Sequence, residues 1–239
     1  MTKKVSPDVV ILCGGLGTRW RAVNAALPKV LAPVHDQPFL NIVIDQFLQQ
    51  GCKKIILAAG YKADQIETYY QQKPYRPHLA FSKESTPLGT AGAVKLAEPH
   101  ITSENFFVVN GDSFCTINLQ SVVQFHISKP MALATMVMSK NTDRADAGNI
   151  VWDKRNGCIT NFNEKTDPPS PWINAGIYLF NRKILAMIPA GKNISLEYEI
   201  IPTILSQDVY GFPVSSPLID IGTPERYREA LEYFKRDTI

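Results

Sequence analysis

The sequence predicts an α/β fold in which a parallel β-sheet carries helices on both faces. In the first half of the chain, continuous apolar runs alternate with segments whose apolar residues recur at the helical spacing i, i+3 and i+4. A continuous apolar run is typical of a strand buried on both faces of a parallel sheet. A β-α-β alternation then requires right-handed crossovers, which place helices on both sides of the sheet.

The elements of the first half follow from this local pattern. Residues 9–13 are apolar throughout and end in two glycines, so they are predicted to form the first strand. The segment 39–50 has its apolar residues on one helical face and follows a proline, which suits a first helical turn. The other elements predicted here are a strand at 54–60, a helix at 63–71, a strand at 78–82, a helix at 90–97 and a strand at 106–110.

The second half is expected to be richer in strands. Its apolar segments follow in quick succession at residues 132–138, 148–152, 159–162 and 173–180. No internal repeat or low-complexity linker separates the halves, so we expect one domain over residues 1–239. Ligands of open α/β sheets bind beyond the carboxyl ends of the strands, and we expect the second half to cover that site.

Composition excludes several classes of protein. The 239 residues are 45% hydrophobic and 20% charged, which is ordinary for a globular protein and excludes a disordered or fibrous chain. The 25 basic and 22 acidic residues are scattered, so nucleic acid has little support as a partner. The four cysteines lack metal-type spacing, which indicates reduced and mostly buried thiols. No apolar run is long enough to span a bilayer, so we expect a cytoplasmic protein with no membrane partner.

A glycine-rich turn directly after the first strand is the first candidate binding feature. The segment GGLGTR at residues 14–19 lets backbone N–H groups approach a phosphate that bulkier residues would hold off. It matches neither the G-x-G-x-x-G dinucleotide fingerprint nor the Walker A loop. Arg19 and, ten residues later, Lys29 add two cations beside the turn. They favour an anionic ligand over a purely structural glycine turn.

Two acidic residues are candidates for a Mg²⁺ site. Asp112 follows the predicted strand at 106–110, and Asp220 lies between two isoleucines. A carboxylate beside a polyphosphate is the usual protein contribution to a Mg²⁺ site. Asp220 is alternatively a buried hydrogen-bonding residue with a structural role, and the sequence leaves both interpretations open.

Six motifs occur together in a characteristic order. They are GGLGTR (14–19) with PK (28–29), PLGTAG (87–92), NGD (110–112), EK (164–165), NAG (174–176) and DIGTP (220–224). With these motifs the chain resembles the sugar-1-phosphate nucleotidyltransferases over essentially its whole length. The resemblance implies a single catalytic domain with a Rossmann-like nucleotide-diphospho-sugar transferase fold, three-layered around a mixed, mostly parallel central sheet. It also implies a Mg²⁺-dependent reaction of a nucleoside triphosphate with a sugar 1-phosphate, giving an NDP-sugar and pyrophosphate.

The resemblance implies roles for individual residues. Arg19 would neutralise the departing pyrophosphate and Lys29 the α-phosphate under attack, while Asp112 and Asp220 would hold Mg²⁺. The nucleotide would be bound by Leu12, Gly14, Gly15, Gly17, Thr18, Glu84, Gly89 and Thr90. The sugar phosphate would be bound by Gly148, Glu164, Lys165 and Asn174, and Glu197 is a further candidate on the sugar side. A sugar phosphate is already an anionic nucleophile, so the reaction needs positioning and charge neutralisation and no general base.

Glu84 favours guanine as the base. An ionised glutamate only accepts hydrogen bonds, and guanine offers the adjacent N1–H and N2 amine as donors. Uracil and thymine offer a single imide N–H, which better suits the glutamine common in uridylyl- and thymidylyl-transferring relatives. Glu84 is alternatively a solvated acid of a loop.

Within the family, the segments LGTR (16–19) and NGDSF (110–114) and the short single-domain length most resemble the guanylyltransferases that act on D-glycero-α-D-manno-heptose 1-phosphate. Those enzymes make GDP-heptose for bacterial surface polysaccharides. Mannose 1-phosphate guanylyltransferases are the nearest alternative. Uridylyl- or thymidylyl-transferring hexose 1-phosphate enzymes come next. We expect GTP, a sugar 1-phosphate and Mg²⁺ as ligands. The sequence is compatible with either a monomer or a homo-oligomer.

Overall fold

The strands of the protein lie mainly in one large mixed sheet. The computed structural model describes residues 6–15, 26–129, 131–140, 148–163, 170–205 and 208–235. The strands are β1 (Asp8–Leu12), β2 (Pro33–Val34), β3 (Gln37–Pro38), β4 (Ile55–Ala59), β5 (Leu79–Lys83), β6 (Asn105–Asn110), β7 (Ser113–Phe114), β8 (Ala134–Lys140), β9 (Asn149–Trp152), β10 (Ile159–Asn163), β11 (Trp172–Asn181), β12 (Val209–Pro213) and β13 (Ile219–Asp220). The α-helices are α1 (Phe39–Leu48), α2 (Ala63–Tyr70), α3 (Gly89–Leu96), α4 (Leu119–Ile127), α5 (Ile201–Ile204) and α6 (Pro224–Lys235). A π-helical turn at Leu196–Ile200 precedes α5, and short 3₁₀ turns occur at Lys29–Leu31, Arg76–His78, Glu98–His100 and Arg182–Met187.

The large sheet has the strand order β10-β9-β11-β6-β1-β4-β5, and β8 pairs with β11 and with β12. Strands β6, β1, β4 and β5 are parallel to one another. Strand β11 is antiparallel to β6, and β8 and β9 are each antiparallel to β11. Strand β12 runs in the direction of β8, so among the described strands of this sheet β10 and β11 run opposite to the others. The prediction of a mixed, mostly parallel sheet is confirmed.

Apolar side chains cover both faces of this sheet. Val9 and Ile11 of β1 join one core cluster and Val10 joins the other, because successive residues of a strand point to opposite faces. The first cluster includes residues of α1, α2, α4 and α6. The second includes residues of α3 and α5 and of the π-helical turn. The sheet therefore lies between two helical layers, which confirms the predicted three-layer α/β fold.

Every strand and helix predicted above occurs, with ends that shift by a few residues. The sequence pattern did not predict the β2–β3 hairpin, the two-stranded β7–β13 sheet, α4, α5, β12 or α6. The four cysteines are free, and three of them are buried, as predicted. Within the described residues, no helix combines the length and the hydropathy needed to cross a membrane.

Candidate active site

The carboxyl ends of four parallel strands bring the predicted nucleotide-side residues to one edge of the sheet. Leu12 pairs with Asn110 of β6, and Ala59 of β4 pairs with Lys83 of β5. The segments that follow these four strands therefore lie side by side. They are the start of the glycine-rich turn after β1, Gly60 after β4, Glu84 after β5 and Asp112 after β6. This is the edge at which α/β sheets bind their ligands.

A tight turn after β6 sets the position of Asp112. The N–H of Gly111 donates to the carbonyl oxygen of Leu12 at 3.0 Å. A β-carbon at residue 111 would lie 2.8 Å from that same oxygen, so the turn needs glycine. The glycine thus lets the chain reverse against β1 and directs the next residue into the site.

Asp112 forms an ion pair with Lys29. Lys29 Nζ lies 2.6 Å from Asp112 Oδ2, and their side chains are 13% and 40% exposed. The second carboxylate oxygen, Oδ1, accepts a hydrogen bond from the Ser113 hydroxyl at 3.3 Å. Lys29, predicted to contact the α-phosphate, is therefore in direct contact with Asp112, predicted to hold Mg²⁺. The two residues are 83 positions apart in the sequence.

The β7–β13 sheet brings Asp220 next to this pair. Asp220 pairs with Ser113, and the N–H of Ile221 donates to the Asp112 carbonyl oxygen at 3.1 Å. The Asp220 carboxylate accepts a hydrogen bond from the N–H of Gly222 at 2.7 Å through Oδ1, and its Oδ2 lies 3.5 Å from Arg226 Nη1. Asp220 is thus both a hydrogen-bonded, largely buried residue and a neighbour of Asp112.

Asp112 and Asp220 are the two neighbouring carboxylates beside Lys29 that could hold a cation. Among the described residues, no cluster of three or more histidine, cysteine, aspartate or glutamate side chains is arranged to hold a metal. A Mg²⁺ ion bound by Asp112 and Asp220 would therefore need other oxygen ligands, such as phosphate and water. This donor set fits a metal that binds together with a polyphosphate.

Cys13 lies beneath the same edge and is not a nucleophile. It is buried, and its Sγ donates to the carbonyl oxygen of Ile11 at 3.5 Å. Burial, with a smaller contribution from the Asp112 carboxylate, raises the pKa of the Cys13 thiol far above its usual range. The thiol therefore stays protonated at neutral pH.

Glu84 sits in a cradle formed by two glycines. Its Oε2 accepts a hydrogen bond from the N–H of Leu88 at 3.1 Å. A β-carbon at residue 60 would lie 1.9 Å from Glu84 Oε1, and one at residue 14 would lie 2.8 Å from the same atom. Burial raises the pKa of Glu84, and the Leu88 N–H opposes this shift. Glu84 is therefore held in a partly buried place and is not a freely solvated loop acid.

Gly60 is a residue that the sequence analysis missed. Gly60 is the last residue of the predicted strand at 54–60. Its position at the carboxyl end of a strand is the sequence feature that could have marked it as a site residue. The close approach of Glu84, which lies 24 positions away, is a tertiary contact that no local pattern reveals.

The start of α3 is packed against the segment 192–194. The N–H of Ala91 donates to the Ile194 carbonyl oxygen, and the N–H of Ile194 donates to the Leu88 carbonyl oxygen, both at 2.9 Å. Gly89 has a φ of +69°, and its β-carbon would lie 2.5 Å from the Ile194 oxygen. The glycine predicted to let the backbone approach a base is thus also required by this contact within the chain.

The predicted sugar-side residues Gly148 and Asn174 are in contact. The N–H of Asn174 donates to the Gly148 carbonyl oxygen at 2.9 Å. Residue 148 has little room for a side chain, because a β-carbon there would lie 2.9 Å from the ring of Phe162 and 3.5 Å from Asn174 Cβ. The Asn174 side chain donates to the Tyr178 hydroxyl at 2.6 Å and accepts from the N–H of Gly176 at 2.9 Å. The amide is therefore held in one orientation.

The remaining predicted site residues lie outside the described residues. These are Gly17, Thr18 and Arg19 of the glycine-rich turn, and Glu164 and Lys165 of the sugar side. Gly15 ends the described part of the turn, and a β-carbon there would meet no atom of the described residues within 4 Å.

The start of a glycine-rich turn, two neighbouring carboxylates and a lysine at the carboxyl edge of a mixed sheet are typical of a nucleotide-handling α/β enzyme. Comparison with known proteins agrees with this class. The chain belongs to the nucleotidyl transferase family, whose model matches residues 8–236.

Individual proteins of this family are similar to the chain over most of its length. It is 34% identical over 224 residues to the D-glycero-α-D-manno-heptose 1-phosphate guanylyltransferase of Aneurinibacillus thermoaerophilus, covering 93% of this chain and 96% of that protein. It is 37% identical over 224 residues to the catalytic subunit beta of mannose-1-phosphate guanylyltransferase from Drosophila melanogaster, but this match covers 91% of this chain and 60% of that protein. The crystal structure of HddC from Yersinia pseudotuberculosis complexed with GMP-PN matches with a TM-score of 0.83 and 32% identity, over 95% of this chain and 99% of that one.

Proposed function

We propose that the protein transfers GMP from GTP to D-glycero-α-D-manno-heptose 1-phosphate, giving GDP-heptose and pyrophosphate. The observation that carries the choice of base is the cradle that holds the Glu84 carboxylate at the nucleotide edge of the sheet, where an acceptor-only group suits the paired donors of guanine. The heptose phosphate is supported by the similarity to the Aneurinibacillus protein over nearly the full length of both chains.

The residues that bind the phosphates are proposed from their contacts and from the motifs. Lys29 is held beside Asp112 and would turn its ammonium group towards the α-phosphate. Asp112 and Asp220 would hold Mg²⁺, which when bound would neutralise phosphate charge during the transfer. From the motifs alone, Arg19 would bind the pyrophosphate, and Glu164 and Lys165 would bind the sugar phosphate.

The proposed mechanism is an in-line displacement at the α-phosphorus. An oxygen of the sugar phosphate attacks, the bond to the β-phosphate oxygen breaks, and pyrophosphate leaves. No proton has to be removed from the nucleophile, because the sugar phosphate is already ionised. The chain contributes by orienting two anions towards each other and by opposing their charge with Lys29 and Arg19.

The free cysteines support a cytoplasmic compartment. Cys13, Cys52 and Cys115 are buried as free thiols. Such thiols persist in a reducing compartment, and nucleoside triphosphates are available there. We therefore propose that the enzyme acts in the cytoplasm and supplies an activated sugar for polysaccharide synthesis.

The proposal is tested by a matrix of substrates. GTP, ATP, UTP, CTP and dTTP are each combined with heptose, mannose and glucose 1-phosphates, with and without Mg²⁺, and pyrophosphate release is measured. We expect GTP with the heptose phosphate to give the highest kcat/KM and chelation of Mg²⁺ to abolish release. A higher kcat/KM for UTP or dTTP would refute the guanine assignment, and no release from any pair would refute the enzyme itself.

Mannose 1-phosphate is the second candidate acceptor. The identity to the Drosophila protein is slightly higher than to the Aneurinibacillus protein, although the chain spans about 60% of that relative's length. A higher kcat/KM for mannose 1-phosphate than for the heptose phosphate would select this alternative.

A further inference from the structure

Glu197 lies between the nucleotide side and the sugar side of the site. It belongs to the π-helical turn Leu196–Ile200. Its Oε2 accepts hydrogen bonds from the Thr90 hydroxyl at 2.8 Å and from the Ser195 hydroxyl at 3.1 Å. Its Oε1 accepts a hydrogen bond from the Tyr178 hydroxyl at 3.2 Å. Both carboxylate oxygens are thus bonded to side chains of the protein itself.

On the nucleotide side, Glu197 determines the direction of the Thr90 hydroxyl. The Thr90 oxygen accepts a hydrogen bond from the N–H of Leu196 at 2.7 Å, while its proton goes to Glu197. The same segment contacts α3 through the backbone bonds of Ile194 described above. Thr90 can therefore accept a hydrogen bond from a ligand but has no proton left to donate.

On the sugar side, Glu197 acts through Tyr178 on Asn174. Tyr178 is fully buried and donates its only hydroxyl proton to Glu197. Its oxygen is then left to accept from Asn174 Nδ2, which lies 2.6 Å away. This contact turns Asn174 Oδ1 towards the N–H of Gly176, at 2.9 Å. The Tyr178 hydroxyl, directed by Glu197, and the N–H of Gly176 together hold the Asn174 amide in this orientation.

We propose that Glu197 is a positioning residue that holds Thr90 and, through Tyr178, Asn174 in one arrangement, so that the two substrates are oriented by a shared carboxylate. The proposal rests on the proposed function in assigning Thr90 to the nucleotide and Asn174 to the sugar phosphate. It gives Glu197 an indirect role, distinct from direct contact with the sugar.

The arrangement needs a carboxylate because a carboxylate only accepts hydrogen bonds. A glutamine at residue 197 would turn its N–H groups either towards Tyr178 or towards Thr90. In the first orientation the Tyr178 oxygen would face two N–H donors, from Asn174 and from the new amide, and its own proton would lose its acceptor. In the second, the same would happen to Thr90, and the Ser195 hydroxyl would also lose its acceptor. Glu197→Gln is thus nearly isosteric, yet it breaks the hydrogen bond to either Thr90 or Tyr178. Glu197→Ala breaks the hydrogen bonds to both.

Glu199 provides a matched control on the same turn. It is exposed, and its carboxylate accepts from the backbone N–H of Ser195 at 2.9 Å. Glu199→Gln makes the same chemical change two residues away without touching Thr90 or Tyr178. It separates loss of the shared carboxylate from a general effect on the turn.

The test measures KM for GTP and for the sugar 1-phosphate separately. Glu197→Ala should raise both KM values about tenfold, and Glu197→Gln should raise at least one of them about as much, the size expected for one lost hydrogen bond. Tyr178→Phe should raise KM for the sugar phosphate about tenfold and change KM for GTP less than about twofold. Glu199→Gln should change neither.

The outcomes separate this inference from the proposed function. If the wild type is active and Glu197→Gln keeps both KM values, or shifts them no more than Glu199→Gln, Glu197 is not a positioning residue. A lower unfolding temperature with unchanged KM values would also overturn the inference. If Glu197→Ala does not fold, the substrate-selective effect of Tyr178→Phe decides. If the wild type releases no pyrophosphate, the proposed function fails, and the Kd values of GTP and of the sugar phosphate, measured by calorimetry on the same variants, decide the positioning role.

Discussion

Replacing Gly60 by alanine should reduce the preference for GTP by displacing Glu84. The new β-carbon would lie 1.9 Å from Glu84 Oε1, 2.7 Å from Cδ and 2.8 Å from Cγ. The φ of Gly60 lies outside the left-handed region, so alanine itself suits the backbone. The consequence therefore falls on the Glu84 side chain.

The size of the effect follows from these distances. A relaxed carbon–oxygen contact is about 3.4 Å, so the carboxylate must move by roughly 1.5 Å. This movement breaks its 3.1 Å hydrogen bond from the N–H of Leu88. The displaced carboxylate would also lose its proposed hydrogen bond to guanine, and a hydrogen bond to a charged group contributes about 1.5–3 kcal/mol. If binding of guanine depends on this position, kcat/KM for GTP should fall about 10-fold to 100-fold.

The assay is pyrophosphate release with GTP, UTP and dTTP, measured for Gly60→Ala, Glu84→Ala and the double variant. We expect Gly60→Ala to lower kcat/KM for GTP and to leave UTP and dTTP nearly unchanged. In the Glu84→Ala background the same substitution should add less than about 0.5 kcal/mol, because both changes act on one carboxylate. Equal losses of kcat/KM in both backgrounds, or an unchanged GTP preference in folded Gly60→Ala, would refute this reasoning.

Four further outcomes are expected. Asp112→Asn should lower kcat at least about 100-fold in the pyrophosphate assay, because an amide lacks the charge that a metal and a lysine both need. Gly92→Ala should lower the free energy of unfolding in urea by about 1–3 kcal/mol, because its β-carbon would lie 2.5 Å from a loop carbonyl oxygen. KM for GTP should rise as the pH falls, because burial raises the pKa of Glu84 and its ionised form is lost earlier than in an exposed glutamate. Cys158, which is partly exposed, should react with a maleimide long before the buried Cys13.

Each of these outcomes has a control. Asp153→Asn removes an ion-paired carboxylate in the turn after β9, and an equal fall in kcat would count against a special role for Asp112. Gly15→Ala places a β-carbon where no atom of the described residues lies within 4 Å, so a similar loss of stability would contradict the packing argument for Gly92. A pH dependence of KM that survives in Glu84→Gln belongs to another group. Thiol mapping by mass spectrometry that finds Cys13 modified first would disprove its burial.

The first half of the fold could be predicted because its signals are local. Residues 9–13 are apolar without interruption, and β1 forms at Asp8–Leu12; the helical stripe at 39–50 becomes α1, at Phe39–Leu48. Strands β7 and β13 are two residues each, too short for a pattern to form. They pair only because the chain returns to the same edge of the sheet more than 100 residues later.

The candidate site also combines features that are readable from the sequence with contacts that depend on the fold. The sequence by itself determined which groups are present: glycines that admit a phosphate, cations, and acids in turns after strands. Only the tertiary structure decided which of them meet: Lys29 with Asp112, Glu84 with Gly60, and Glu197 with both Thr90 and Tyr178. The physical reason is that strand and helix periodicity depends on neighbours within a few residues, whereas these contacts join distant segments after the sheet has closed and its burial has brought their carboxyl ends together.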